Sequence, residues 1–287
     1  MAQSLIGGLI ANGTDSNDIT VADPSGDATD VASEKFKINV ADTNQQAVSS
    51  ASVVVLAVKP QQMNRVLSDL SDQLTDQLLI SIAAGILTRD MLRWANASNN
   101  KVAMVRCMPN TPALLQCGAT GLFADGKVTN AQRAVAENIL NSVGITAWVD
   151  EESQLDAITA LSGSGPAYFF LMIEAMTEAA TELGLQHNVA MKFAIQTALG
   201  AARMTAESDS EPAQLRKNVT SPAGTTEAAL NNFDNNNFKQ VIASAMQAAD
   251  KRAQELGSEL GQTNGQNSGQ NSGDLSLIHI SEPTRPY

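Results

Sequence analysis

The chain has 287 residues, 43 % of them apolar, enough for one large domain or two ordinary ones with a sizeable core. A net charge of −12 argues against a nucleic-acid or anionic-membrane partner. No apolar run reaches the length of a membrane span, no secretory leader is visible, and two cysteines (Cys107 and Cys117) make no disulfide framework, so the cytoplasm is the expected compartment.

The opening stretch MAQSLIGGLIANG predicts a helix, with Met1, Leu5, Ile6, Leu9 and Ile10 on one face and Asn12-Gly13 as its stop. Gly7 and Gly8 weaken a helix interior, so close backbone packing is the reading that justifies them. Such a helix has no strand ahead of it to pack on, although strands follow. DITVAD (18–23) reads as a strand. SVVVLAV (52–58), LLISIAA (78–84) and VAMVRCM (102–108) are continuous apolar runs, the kind that form parallel strands buried on both faces. Helical patterns lie between them, as at 60–74, where Pro60 suits a first helical turn. This alternation predicts crossover units and a doubly wound α/β sheet. From Gln154 to Gly257 the patterns are almost all helical, which places a domain boundary near Asp150.

The tract 261–274 is polar, repetitive and rich in Gly, Asn and Gln, and is expected to be disordered. Apart from its last two residues, the closing string LSLIHISEPTRPY resembles the conceptual translation of a transposase-type sequencing adapter. Residues 261–287 are therefore read as a disordered, artefactual tail and set aside from fold reasoning. His187 is then the one remaining histidine, which argues against a His-based triad or a His-rich metal site.

Ligands of doubly wound sheets bind at the carboxyl ends of the strands. Three strands here run into AVKPQ (57–61), SIAAGI (81–86) and RCMPNTPA (106–113). Gly and Pro ending a strand explain any one of these equally well. Lys59, read as a buried strand tip, points to a nearby anion, because lysines are seldom buried unpaired. Asp23, at the end of the first visible strand, is either a ribose-binding acid that favours NAD over NADP or a turn aspartate before Pro24. In ALSGSGPAYFF (160–170), Gly163 and Gly165 permit very close backbone approach, best read as a tight helix–helix crossing. VTSPAGTTEAAL (219–230) leads through Ser221, Pro222 and Gly224 into a helix whose first turn holds Thr225, Thr226 and Glu227. One hydroxyl suffices for a cap, so three favour a carboxylate site at the helix N-terminus.

In this order and spacing, AVKPQ, SIAAGI, RCMPNTPA, SGSGPAYFF and VTSPAGTT resemble the pyrroline-5-carboxylate reductase family over residues 1 to about 260. The resemblance implies a Rossmann-type dinucleotide-binding domain (1–150) followed by an all-α dimerisation and substrate domain (151–260). It implies reduction of the small-molecule substrate 1-pyrroline-5-carboxylate to L-proline by NADPH, with NADH as the possibility that Asp23 favours. Family members usually begin with a strand and a G-x-G-N-M-A turn, of which Met1-Ala2 match the end. The reading is therefore of a chain lacking about ten residues, roughly one strand and a tight turn, at its start. A sheet lacking that central strand is expected to show a gap beside the first helix.

By the same resemblance, the backbone from Ser221 through Gly224 and Thr225 to Thr226 holds the substrate carboxylate, and the Thr226 hydroxyl serves the imine nitrogen. Ala57, Val58, Lys59 and Pro60 line the dinucleotide, Asn44 contacts its adenosine side, and the nicotinamide sits near Ala83, Met108 and Asn110. No metal is implied. Ala223 departs from the family, which often has Gly there. The apolar surface of SGPAYFFLMIEAM predicts an intertwined homodimer or a higher oligomer of dimers. Two other readings stay open. One is a related hydroxy-acid dehydrogenase, against which stands the absence of lysine from Gln154 to Gly184. The other is a non-catalytic dimerising fragment.

Overall fold

The computed structural model describes residues 1–23, 26–97, 99–262 and 277–280. By contacts the chain divides into two compact units, residues 1–164 with those from 249 onward, and Gly165–Ala248. Pro24, the tract 263–276 and residues 281–287 lie outside the described residues.

The first unit is built on one eight-stranded sheet. Helix α1 (Ala2–Ala11) opens the chain with Met1 as its N-cap and ends at Asn12, with Gly13 at positive φ. There follow β1 (Ile19–Ala22), α2 (Asp27–Phe36), β2 (Asn39–Val40), α3 (Asn44–Ser49), β3 (Val53–Leu56), α4 (Pro60–Leu70), β4 (Leu78–Ser81), α5 (Thr88–Trp94) and β5 (Ala103–Met108). Strands β3, β4 and β5 are parallel neighbours, with Leu56, Ser81 and Arg106 in register. All four residues of β3 and of β4 are buried. Side chains alternate across a strand. Val53 and Val55 accordingly join a core with Leu5 and Ile6 of α1, while Val54 and Leu56 join a second core with Met63 and Leu67 of α4. Helices thus cover both faces, as the apolar runs require.

The glycines of α1 serve close packing. A Cβ on Gly8 would lie 2.4 Å from the backbone oxygen of Ser142, and one on Gly7 would lie 3.2 Å from the Phe36 ring. Beyond β5 the sheet turns over: β6 (Gly118–Ala124) runs antiparallel to β5, and β7 (Gly144–Trp148) runs parallel to β6 across helix α6 (Asn130–Asn141).

The expected gap is filled. Leu277–Ile280 form β8, an antiparallel strand that pairs with Ile19–Ala22 of β1 on one side and Val53–Leu56 of β3 on the other. Ile278 is fully buried there. The expectation of an unstructured tail is corrected for these four residues, and for Gly261 and Gln262, which continue the last helix. The run Leu-Ile-His-Ile is short, apolar and β-branched, and two buried neighbours offer it unpaired backbone on both sides.

The contact division at Ser164 falls after the expected boundary near residue 150. Helix α7 (Gln154–Ile158) packs on the sheet, where Ile158 and Leu155 lie over Gly121 of β6. The second unit is helical. It holds α8 (Gly165–Glu182), α9 (His187–Ala206), α10 (Pro212–Asn218), α11 (Thr225–Asn235) and the first part of α12 (Phe238–Gln262). Helix α8 packs against α9, yet Phe169, Phe170 and Phe193 are each about two-thirds exposed within one chain.

Candidate active site

Because β3, β4 and β5 are parallel and adjacent, their carboxyl ends lie along one edge of the sheet. That edge gathers Ala57, Val58, Lys59 and Pro60 after β3, Ala83 after β4, and Met108 and Asn110 at the end of β5. Val58 is buried, but Lys59 is exposed at the N-cap of α4, where the chain leaves the core; the expected buried lysine is corrected. Asn44 is the half-buried first residue of α3, whose N-cap Thr43 accepts the Gln46 N–H.

The loop after β4 turns at Gly85, with φ +77, where a Cβ would lie 3.1 Å from Leu260. Ala83 donates its N–H to Ser81 Oγ at 3.3 Å. The Asn110 amide is spent on the protein: Nδ2 donates to the Ser162 carbonyl at 3.0 Å, and Oδ1 accepts the Ala119 N–H at 2.9 Å. Asn110 thereby ties the end of β5 to the π-helical turn Thr159–Gly163 that follows α7. Such turns recur at functional sites. A Cβ on Gly163 would lie 2.5 Å from Met108 Cε, so this glycine makes room for the Met108 methyl rather than for a helix crossing. Gly165 has open space where a Cβ would go.

Next to this edge lies an ionic cluster around a buried arginine, with two partly exposed carboxylates. The Arg106 side chain is 4 % exposed; its Nη1 lies 3.0 Å from Glu152 Oε1 and its Nη2 3.8 Å from Asp156 Oδ1. Burial pushes the Asp156 carboxyl above the ordinary aspartate value; Arg106 pulls it down, while Asp250 and Glu152 push it further up. The folded chain therefore holds this proton more tightly than the unfolded chain. The stability contributed by Asp156 is greatest at low pH and falls as pH rises past about 3.9, the unfolded value. Asp156→Asn should remove that decline. Between pH 4 and 7 the Tm of the original chain should lose ground to that of the variant as pH rises, and parallel curves would contradict the assignment. Burial likewise pushes the Cys107 thiol far above its usual range, which leaves it protonated and inert.

Ser221, Gly224, Thr225 and Thr226 belong to the other unit, at the start of α11. Gly224 is the N-cap, with no side-chain cap, and a Cβ there would meet the Ser221 carbonyl oxygen at 2.9 Å. Thr225, Thr226 and Glu227 form the first turn, whose amides have no acceptor within the helix. The Ser221, Thr225 and Thr226 side chains are exposed. Glu227 reaches back to accept the Ala223 N–H at 2.8 Å and braces the turn. Ala223 adopts φ +54, a left-handed conformation that costs a non-glycine residue roughly 1 kcal/mol.

A family model described as pyrroline-5-carboxylate reductase dimerisation matches residues 152–256, and one described as NADP oxidoreductase, coenzyme F420-dependent, matches residues 1–85. Pyrroline-5-carboxylate reductase of Pseudomonas aeruginosa is 48 % identical over 254 residues, 88 % of this chain and 92 % of the relative. The chain belongs to the pyrroline-5-carboxylate reductase family. The reductase of Haemophilus influenzae is 44 % identical over 88 % of this chain and 93 % of its own length. Among solved structures, the Coxiella burnetii reductase superposes with a TM-score of 0.85 at 44 % identity, over 89 % of this chain and 94 % of that one. The Plasmodium falciparum reductase, solved with NADP bound, gives 0.77 at 29 % identity over the same shares.

As a family member, the chain has a Rossmann-type sheet and a helical dimerisation region, and the family's cofactor is a nicotinamide dinucleotide. The residues present fit one. Ala57 and Ala83 keep the strand ends small enough for a ligand to approach the backbone. Helix α1 begins without a side-chain cap, and of its first-turn amides Ser4 N–H donates to the Met1 carbonyl at 3.0 Å, which leaves those of Ala2 and Gln3 for an anion. Among the described residues, no helix is long and apolar enough to cross a membrane.

Proposed function

We propose that this chain reduces 1-pyrroline-5-carboxylate to L-proline, the last step of proline biosynthesis, with NADPH as donor and NADH as the alternative. Identity of 48 % to a reductase across nearly the whole length of both chains carries the reading. The cofactor, when bound, supplies the hydride. Ala57, Val58, Lys59 and Pro60 line it, Asn44 meets its adenosine side, and Ala83 and Met108 flank the reactive ring. Asn110 contributes by holding the end of β5 to the π turn. The turn from Ser221 through Gly224 to Thr226 takes the substrate carboxylate at the N-terminus of α11, through the Thr225 and Thr226 amides, because the Ala223 and Gly224 N–H groups already donate to Glu227 and to the Ser221 carbonyl. The Thr226 hydroxyl faces the imine nitrogen, where it orients the ring and helps deliver its proton. The chemistry then rests on positioning a donor and an electrophile in attack geometry.

The working division is a dinucleotide domain over 1–150 and a substrate and dimerisation domain over 151–260. We place the protein in the cytoplasm as a homodimer or an oligomer of dimers, a second copy covering Phe169, Phe170 and Phe193.

The test is a cofactor-oxidation assay on the purified chain with and without 1-pyrroline-5-carboxylate, with 2- and 3-hydroxy acids run in reverse as controls. Turnover of the imine alone supports the reading, and turnover of hydroxy acids with the imine inert overturns it. Thr226→Ala should lower kcat/KM for the imine at least about tenfold, roughly 1.4 kcal/mol, the scale of one hydrogen bond made in the transition state. Cofactor Kd should barely change. An unaltered rate would leave Thr226 as a residue of the first helical turn and nothing more.

A further inference from the structure

Arg106 is the sole arginine or lysine buried among the described residues, and its position is unusual. It lies on β5 two residues before Met108, facing Glu152 and Asp156. Glu152 Oε1 accepts from three donors: Arg106 Nη1 at 3.0 Å, the Thr88 N–H at 2.7 Å and the Thr88 hydroxyl at 2.9 Å. The carboxylate thus serves as the missing cap of α5, from 64 residues away in sequence. Buried ion pairs are often no better for stability than apolar packing of the same volume. Stability alone is therefore a weak reason for this one.

What the cluster does is join three segments. One is β5, which ends in Met108. The second is the loop from Ile82 to Leu87, which holds Ala83 and turns at Gly85 before α5 begins at Thr88. The third is the start of α7, whose π turn holds Gly163 against Met108 and Ser162 against Asn110. Glu152 is the shared node, and Arg106 anchors it to the sheet.

We propose that Arg106 and Glu152 are positioning residues for hydride transfer: they set the spacing between the Ala83 loop, the tip of β5 and the α7 turn, and so the pose of the nicotinamide ring. They act through Ala83 and Met108. This rests on the reading of those strand ends as the nicotinamide site. Reactions of this kind are sensitive to placement, a shift of about 1 Å costing on the order of a hundredfold in rate.

The experiment is steady-state kinetics of the full chain with NADPH and 1-pyrroline-5-carboxylate, with circular dichroism and Tm on every protein. Glu152→Ala should lower kcat at least tenfold while both KM values stay within threefold of the original. Glu152→Gln, whose amide oxygen can accept from the same Arg106 and Thr88 donors, should return kcat to within threefold. If Glu152→Ala does not fold, Arg106→Lys decides, since it keeps the buried charge and loses the two-pronged donor. A kcat at least fivefold lower at unchanged KM supports the proposal, and a kcat equal to the original overturns it. A rate loss that follows only the folded fraction also overturns it. An active original chain with an indifferent Glu152→Ala defeats the proposal alone, whereas an original chain inert toward the imine defeats the functional reading and the proposal with it.

Discussion

Ending the chain at Gln262 is expected to unfold the sheet-containing unit or to leave it insoluble. Strand β8 sits between β1 and β3 and pairs with four residues of each. Without it the β1–β2 ribbon loses its connection to the five strands from β3 to β7. Ile19, Val21 and Ala22 of β1 and all of β3 are buried, so water does not readily replace the lost backbone partners. Each buried unpaired group costs about 1–3 kcal/mol. A handful of them equals the whole stability of a typical domain, about 5–15 kcal/mol. Dinucleotide binding should fall with the fold, because β3 leads directly into Ala57–Pro60. Urea denaturation of both chains, together with calorimetric titration of NADPH, measures the effect. An unchanged midpoint and Kd in the shortened chain would show that β1 and β3 close directly on each other.

Gly144→Ala should cost about 3 kcal/mol. Gly144 opens β7 opposite Gly118 of β6, with φ +153. An added Cβ would lie 2.0 Å from the Gly118 carbonyl oxygen and 2.5 Å from its carbon and nitrogen. These are backbone atoms, so no rotamer change makes room and the strands must part. Overpacking of that kind costs roughly 1–3 kcal/mol, and the neighbouring bond from Gly118 N–H to Val143 O adds about 1 kcal/mol if it breaks. For a unit of this size about 3 kcal/mol corresponds to roughly 10 °C in Tm. A thermal scan showing less than 2 °C of change would mean that the strand pair tolerates the methyl group.

Only part of the candidate site could be read from the sequence, and particular residues show why. The strand ends at Ala57–Pro60, Ala83 and Met108–Asn110 were legible because buried parallel strands are continuous apolar runs, and the residues that follow them fall on one edge. The exposure of Lys59 is not legible, because a strand's apolar run does not tell where the backbone emerges from the core. The role of Gly163 is hidden as well, because its neighbour, Met108, lies 55 residues earlier in the chain. Arg106 does not stand out inside VAMVRCM, since its partners Glu152 and Asp156, and Thr88 bonded to Glu152, lie on other elements and no periodicity connects them.

The same division holds for the fold. The sequence by itself determined helix α1 and the packing reason for Gly7 and Gly8, strands β1, β3, β4 and β5, the helical character after residue 154 and the family, because these depend on local periodicity and on short motifs in fixed order. Tertiary structure decided the rest. Strands β6 and β7 have weak local signals, rich in Gly, Ala and Thr and only half-buried along β7, and they form because β5 offers them an edge. Leu277–Ile280 became a strand because β1 and β3 present buried backbone that needs partners, a demand set more than two hundred residues away that composition near the end of the chain does not reveal.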